Sequence, residues 1–227
     1  HNSRGTLDNV SVQVLPPKTT LTATEDFDDG LRAIVLETES GNWQQAEGLY
    51  TGTPADSWAV SLVDLGLKEG LAVGSLLQTD ATLRTDSFSG LVFDYYAADN
   101  FKFAAISVAR DQVLIGHVTK GAGTVVDKAF AVDLAAGAAY DLDLSLKGTT
   151  VSVTVTAAGQ SSAIAAVGHI YNAVVVDGDF GLFTATGTLA VDSLDLRTDD
   201  PAFRTVENVV AAAAPAITSL RGECEAM

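Results

Sequence analysis

The chain has 227 residues, 47% of them hydrophobic, so one large domain can bury a core without disulfide bonds. Twenty-nine acidic residues against 13 basic ones give a net charge of −16, which disfavours nucleic acid and anionic membranes as partners. The single cysteine, Cys224, excludes an intrachain disulfide. The sequence contains no run of about 18 apolar residues, so no transmembrane helix is predicted.

Residues 1–17 are predicted to form a strand that is separate from the main domain. Val10-Ser11-Val12-Gln13-Val14 alternates with a period of two, and two prolines come after it. The pattern of Leu7 to Val12 recurs at Val191 to Leu196, each after a Gly-Thr pair. Two interpretations stay open: either any two alternating strands share such a pattern, or residues 1–17 are the closing strand of a preceding module.

A strand separated from its sheet must pair somewhere, because its backbone N–H and C=O groups need partners. Residues 5–15 are expected to pair along the chain's own sandwich or to complete a neighbouring subunit, and repeated donation builds a filament. The side chains expected to fill the acceptor are Leu7, Val10, Val12 and Val14. Because the chain begins at His1, it is interpreted as a processed form of something longer.

Residues 18–203 carry alternating segments separated by Gly, Asp and Asn. About a dozen strands at this spacing predict an all-β sandwich or barrel. A tight hairpin is expected at Lys147-Gly148-Thr149 and another turn at Gly121-Ala122-Gly123. Strands are predicted at 31–37, 46–51, 57–63, 70–78, 88–97, 101–109, 111–119, 124–132, 140–146, 151–155, 163–168, 180–186 and 189–197.

Residues 204–227 begin after Asp199-Asp200-Pro201, which ends the last predicted strand. Val206 to Pro215 is rich in alanine and is predicted to be either a short helix or a flexible linker. The last ten residues have the composition of a linker or a frayed tail.

Several motifs between residue 24 and about residue 203 occur in an order that resembles a known fold family. They are Asp26-Phe27-Asp28-Asp29-Gly30, Trp43, Gly48-Leu49-Tyr50, Ser89 to Tyr95, Asp99 to Ala104, Ile115-Gly116-His117, Tyr140-Asp141-Leu142, Asp177 to Leu182 and Asp192. In this order they resemble the concanavalin A-like lectin and glucanase sandwiches, including laminin-G-like modules of bacterial surface adhesins.

The resemblance implies an antiparallel two-sheet β-sandwich (a jelly roll) whose first and last strands lie side by side. It also implies sugar or protein ligands, an extracellular or bacterial cell-surface location, and in many members a structural Ca²⁺. If Ca²⁺ binds, Asp26 before the first strand and Asp192 in the last are the expected ligands. The alternative is that Asp26 caps a turn and Asp192 lies on the solvent face.

Catalysis is not expected. The Glu-x-Asp-x-x-Glu motif of the glucanases, which sets two carboxylates on one strand face, does not occur. A Gly-x-Ser-x-Gly elbow is also missing, and the acids of the Asp141/Asp143 and Asp192/Asp195 pairs are expected on the solvent face.

Ligand binding is the expected function, and aromatic rings beside Asp and Asn mark the candidate site. The predicted ligand-binding residues are Trp58, Tyr96, Asp99 and Asn100. Tyr96 follows Tyr95 in an alternating strand, so one of the two rings must face outward. The favoured hypothesis is a non-catalytic adhesion or carbohydrate-binding module. The alternatives are a filament subunit joined by strand 5–15 and, less favoured, a polysaccharide hydrolase.

Overall fold

The structure is a computed structural model that describes residues 18–28 and 33–204, and it confirms an all-β, two-sheet antiparallel sandwich. Two 3-10 turns lie at Val108–Arg110 and Pro201–Phe203. The strands are β1 (Leu21–Glu25), β2 (Val35–Ser40), β3 (Asn42–Ala46), β4 (Leu49–Thr53), β5 (Ala59–Asp64), β6 (Leu76–Thr85), β7 (Phe88–Ala97), β8 (Asn100–Ser107), β9 (Gln112–Thr119), β10 (Gly123–Ala131), β11 (Ala139–Lys147), β12 (Thr150–Ala157), β13 (Ala163–Ile170), β14 (Asp179–Thr186) and β15 (Leu189–Thr198).

Sheet A has eight strands and sheet B has seven. Sheet A has the order β13-β12-β11-β6-β15-β4-β3, and sheet B has the order β10-β9-β8-β7-β14-β5-β2. β1 pairs with the C-terminal half of β15, from Leu194 to Thr198, while β4 pairs with its N-terminal part. The first and last described strands are therefore neighbours, as the resemblance implies.

The main core lies between the two sheets and is built from alternate residues of each strand. In β11, Leu142, Leu144 and Leu146 are fully buried, whereas Asp141 and Asp143 lie on the other face. Each such buried leucine contributes about 1.5–3 kcal/mol relative to an exposed one. The period of two in the sequence is thus the direct consequence of one wet face and one buried face.

A second apolar cluster covers the outer face of sheet B. On β8, Phe101 and Phe103 belong to this cluster, while Ala104 belongs to the main core. The Trp58 ring lies 5.4 Å from the Phe101 ring and 5.8 Å from the Phe183 ring, centre to centre. Aromatic rings of the strands, together with Trp58 just before β5, therefore occupy this face.

Most predicted strands are confirmed, and the differences have local causes. The prediction of 88–97 matches β7, and the two expected turns join β11 to β12 and β9 to β10. The segment 70–78 starts as a turn and becomes a strand only at Leu76, and two strands, β1 and β3, were not predicted. The expectations for residues 1–17 and 205–227 lie outside the described residues.

Candidate functional site

A cleft of about 470 Å³ opens at one end of the sandwich, between the two sheets. We call it the end cleft. Its size falls in the range of small-ligand sites in proteins. Its polar lining comes from β8, β9 and β10 of sheet B, from the end of β13 and from the loop after it. The residues are Asn100, Lys102, His117, Thr119, Asp127, His169, Tyr171 and Asn172.

Asp127 is the centre of the hydrogen bonding in the end cleft. It lies where the register of β10 against β9 shifts, between Val126 and Lys128. Its Oδ2 accepts a hydrogen bond from the Tyr171 hydroxyl at 2.7 Å and lies 2.7 Å from His117 Nδ1. Burial and the neighbouring Asp127 carboxylate raise the pKa of Tyr171, so the phenol stays protonated and donates.

A buried ion pair lies behind these groups. Lys102 Nζ pairs with the Asp94 carboxylate and lies 5.0 Å from the centre of the Tyr171 ring. The Asp94 side chain is 2% exposed, and among the described residues its Oδ1 has no hydrogen-bond partner. Asp94 has a left-handed backbone, with φ of 49°, at the register shift between β7 and β8. The ion pair fixes Lys102 at the wall of the end cleft.

The predicted ligand residues divide into two groups. Tyr96, Asp99 and Asn100 are exposed at the β7–β8 turn, and of these Asn100 lines the end cleft. Tyr96 is 57% exposed while Tyr95 is buried, which confirms that one ring of the pair faces outward. Trp58 lies elsewhere, half-buried in the aromatic cluster on the outer face of sheet B.

Tyr96 is held in place at the turn by a carboxylate. Its hydroxyl donates to Asp177 Oδ1 at 3.2 Å, and burial, together with Asp94 and Asp177, raises the pKa of Tyr96. The Tyr96 ring is therefore exposed at the β7–β8 turn while its hydroxyl is already bonded.

The two predicted calcium ligands each have a partner within the chain. Asp26 follows β1 rather than preceding the first strand, because Leu21–Glu25 is a strand, and its Oδ1 accepts from the Asp28 N–H at 3.2 Å. Asp192 Oδ1 lies 3.8 Å from Arg84 Nη1. Within residues 18–28 and 33–204, no three His, Cys, Asp or Glu side chains form a metal-binding group. This donor set fits Ca²⁺ poorly, since Ca²⁺ takes six to eight oxygen ligands.

Three carboxylates lie side by side on the outer face of sheet A. Asp80 on β6 is directly opposite Asp143 on β11 and Asp195 on β15. Burial, and next the charges of Asp143, Asp141 and Asp195, raise the pKa of Asp80 to about 6. The expected solvent-face placement of Asp143 and Asp195 is confirmed, but they belong to a charge cluster that the sequence alone did not show.

Sequence reasoning missed most of the end cleft. The sequence indicates for His117 only a surface or hydrogen-bonded strand residue, and it does not single out Asp127 or Tyr171. The bulge that turns Asp127 inward leaves no mark in the alternation of β10. One sequence feature could have indicated the cleft. It is Tyr171-Asn172, a polar aromatic residue followed by asparagine in the loop after a strand.

Comparison with known proteins supports the fold alone. No family model matches the sequence, and no curated protein matches it. A carbohydrate-binding module, CBM66, from Bacillus subtilis is similar in structure, with a TM-score of 0.54 and 17% identity over 70% of this chain and 94% of that one. The Bacteroides ovatus xyloglucan-locus protein GH43B has a TM-score of 0.55 at 15% identity, covering 83% of this chain but only 40% of its own length.

A mannose-bound domain is similar to a comparable degree. The exoplasmic domain of VIP36, in its Ca²⁺- and mannose-bound form, has a TM-score of 0.50 at 9% identity, with 78% of this chain and 89% of that one covered. At these identities the similarity shows the fold alone, an all-β, two-sheet antiparallel sandwich. The part of the chain that the structure describes contains no helix with the length and apolar character of a membrane span.

Proposed function

We propose that this chain is a non-catalytic, carbohydrate-binding module of an extracellular protein, and that its glycan lies in the end cleft. The observation that carries the proposal is the meeting of hydroxyl, imidazole, amide and carboxylate groups from both sheets around one opening of about 470 Å³. Structurally similar proteins include a carbohydrate-binding module and a mannose-bound domain, which supports the same class of ligand.

The chemistry of the end cleft suits a polyhydroxylated ligand. The two contacts to Asp127 both fall on its Oδ2, and among the described residues no hydrogen bond falls on Oδ1, which is left to accept from a sugar hydroxyl. Asn100 and Asn172 supply amides that both donate and accept. The His169 and Tyr171 rings meet edge to face at 4.5 Å and offer an aromatic wall to the apolar side of a sugar.

Binding rather than hydrolysis is proposed because glycosidases use two carboxyl groups that flank the scissile bond, about 5–9.5 Å apart. Asp127 is the one carboxylate among the described lining residues, and Tyr171 and His117 already engage it. We expect no release of reducing sugar from any polysaccharide that the chain binds. Turnover that is lost in Asp127→Asn would overturn this part of the proposal.

An adhesive role at the bacterial surface is part of the proposal. The proposed glycan ligand supports it, as does the strongly acidic composition, which favours solubility. Fractionation of the producing cells tests it. Recovery of the protein from the medium or the surface supports the location, and recovery from the cytoplasm contradicts it.

The test of the site uses an array of plant, bacterial and animal oligosaccharides, followed by calorimetry on the bound glycans. His169→Ala and Asn172→Ala are expected to weaken binding at least tenfold, because each removes a lining group. Gln160→Ala, in an exposed turn of the same sheet, is the matched control and should bind as the parent does. If no glycan binds, or if the two cleft variants bind normally, the proposed function is wrong.

A further inference from the structure

One edge of sheet A lacks the features that keep strand edges from pairing. β13 ends this sheet, and among the described strands it pairs only with β12. Its eight residues, Ala163–Ile170, include no Lys, Arg, Asp, Glu or Pro, and its one register shift lies at its start. Natural proteins use charges, prolines and bulges to stop an edge strand from pairing with another chain. β13 is therefore open to an added strand along most of its length.

The other sheet edges differ from β13. β10, at the edge of sheet B, is interrupted at Asp127 and carries Lys128. β2, at the opposite edge of sheet B, carries Glu37 and Glu39 and has its own register shift. In sheet A, β3 at the far edge and β1, which pairs only with β15 among the described strands, have five residues each, and β1 ends at Glu25. β13 is the long, uncharged edge.

Apolar surface borders the free side of β13. Phe130 of β10 is paired with Val113, a residue of the main core, so its ring is directed to the inner side of the sandwich, yet it is 44% exposed. β10 of sheet B approaches β13 at this edge of the sandwich. A strand added to β13 would place alternate side chains against Phe130. Ile170, at the end of β13, is 70% exposed.

We propose that β13 accepts residues 5–15 of a second copy of this chain as a further strand. These residues lie outside the described part of the structure, and their sequence supplies the pattern that the edge requires. Val10, Val12 and Val14 alternate with Ser11 and Gln13. On β13, Ala165 and Val167 are buried, whereas Ala166 and Gly168 are exposed. If the three valines lie on the buried side and Ser11 and Gln13 on the exposed side, the added strand continues both faces of sheet A.

The donor must be a second copy because the chain's own segment cannot reach. Thr20 is fixed beside β15, where its N–H donates to the Thr198 carbonyl at 2.8 Å. A strand beyond β13 lies six strand positions from β1, which is about 29 Å at the usual spacing of strands. Five residues, from Thr20 back to Leu15, span at most about 18 Å.

Donation of this kind leaves the donor's own β13 free to accept the next copy. The contact is heterologous, since one copy contributes its N-terminal segment and the other contributes a sheet edge. Unless the rotation closes a ring, the chain forms an open filament. The acceptor edge and the end cleft share one strand, because His169 and Ile170 at the end of β13 also line the cleft.

Disulfide trapping tests the proposal in the full chain with Cys224→Ser as background. Ser11→Cys is combined with Ala166→Cys or with Gly168→Cys, and mild oxidation is expected to give covalent dimers and higher multimers on a non-reducing gel. Ser11→Cys with Thr22→Cys is the matched control, since Thr22 is an exposed residue of β1, which the chain's own segment can reach. Cross-linking to Thr22 within one chain, or multimers without any cross-link to β13, would overturn the proposal.

A second variant separates assembly from folding. Val12→Asp places a charge on the buried face of the donated strand and is expected to reduce the mass measured by light scattering to that of a monomer. Its circular dichroism spectrum should stay that of the parent. A parent chain that is monomeric at all concentrations, or a Val12→Asp chain that still assembles, would contradict the inference.

Discussion

Replacing Asp80 by asparagine is expected to stabilise the protein at neutral pH, because the change removes the central charge of three aligned carboxylates on sheet A. Asp143 and Asp195 lie directly opposite Asp80 on the two neighbouring strands, and like charges in such positions destabilise a sheet. Burial and these charges raise the pKa of Asp80 from 3.8 to about 6. The folded protein therefore holds a proton on Asp80 more tightly than the unfolded chain does.

The size and pH dependence of the effect follow from linkage. One pKa unit corresponds to 1.36 kcal/mol, which gives an upper bound of about 3 kcal/mol for the cost of ionising Asp80 in the folded state. Since the carboxyl is only half-buried, solvent screening reduces the expected gain from Asp80→Asn to about 1 kcal/mol at pH 7.5. The gain should shrink as the pH falls through 6 and vanish below about 4, where Asp80 is protonated in both states.

Urea unfolding followed by tryptophan fluorescence at pH 7.5, 5.5 and 3.8 measures this directly. Asp133→Asn, in an exposed loop, is the control and should leave the free energy of unfolding within about 0.5 kcal/mol of the parent at every pH. A stabilisation by Asp80→Asn that is the same at all three pH values, or a loss of stability at pH 7.5, would refute the reasoning.

Three further substitutions test the packing by the same unfolding measurement. Lys102→Met should cost about 3–5 kcal/mol because it leaves the Asp94 carboxylate buried and unpaired, and Asp94→Asn in the same chain should restore part of the loss. Gly181→Ala should destabilise strongly, since its Cβ would lie 2.0 Å from the Ser61 carbonyl oxygen. Gly148→Ala, at a turn where φ is +57°, should cost about 1 kcal/mol. Unchanged midpoints would contradict each expectation.

The architecture could be predicted from the sequence because its strands have one wet face and one buried face. β11 and β12 show this alternation clearly, and Gly and Asp separate the strands. The hairpin at Gly148 was predicted because a short turn sequence separates two alternating segments. β3, Asn42–Ala46, was missed because it is a polar edge strand whose main apolar anchor is Trp43, which stacks on Tyr50 at 5.0 Å.

The end cleft could not be predicted because tertiary geometry assembles it. Asp127 contacts Tyr171 because it lies at a bulge in β10. Asp94 contacts Lys102 because Asp94 itself has a left-handed backbone at a register shift. Neither event changes the alternation of apolar and polar residues around it. Asn100 was predicted because polar and aromatic residues cluster at an exposed turn, which is a local signal.

The central claim, that a glycan lies in the end cleft, is tested most directly by nuclear magnetic resonance. A chain labelled with ¹⁵N would be titrated with an oligosaccharide that binds on the array, and the backbone shifts followed. The account predicts that the largest changes occur at Asn100, His117 and Tyr171. Changes confined to the aromatic face around Trp58, with Tyr171 unmoved, would contradict it.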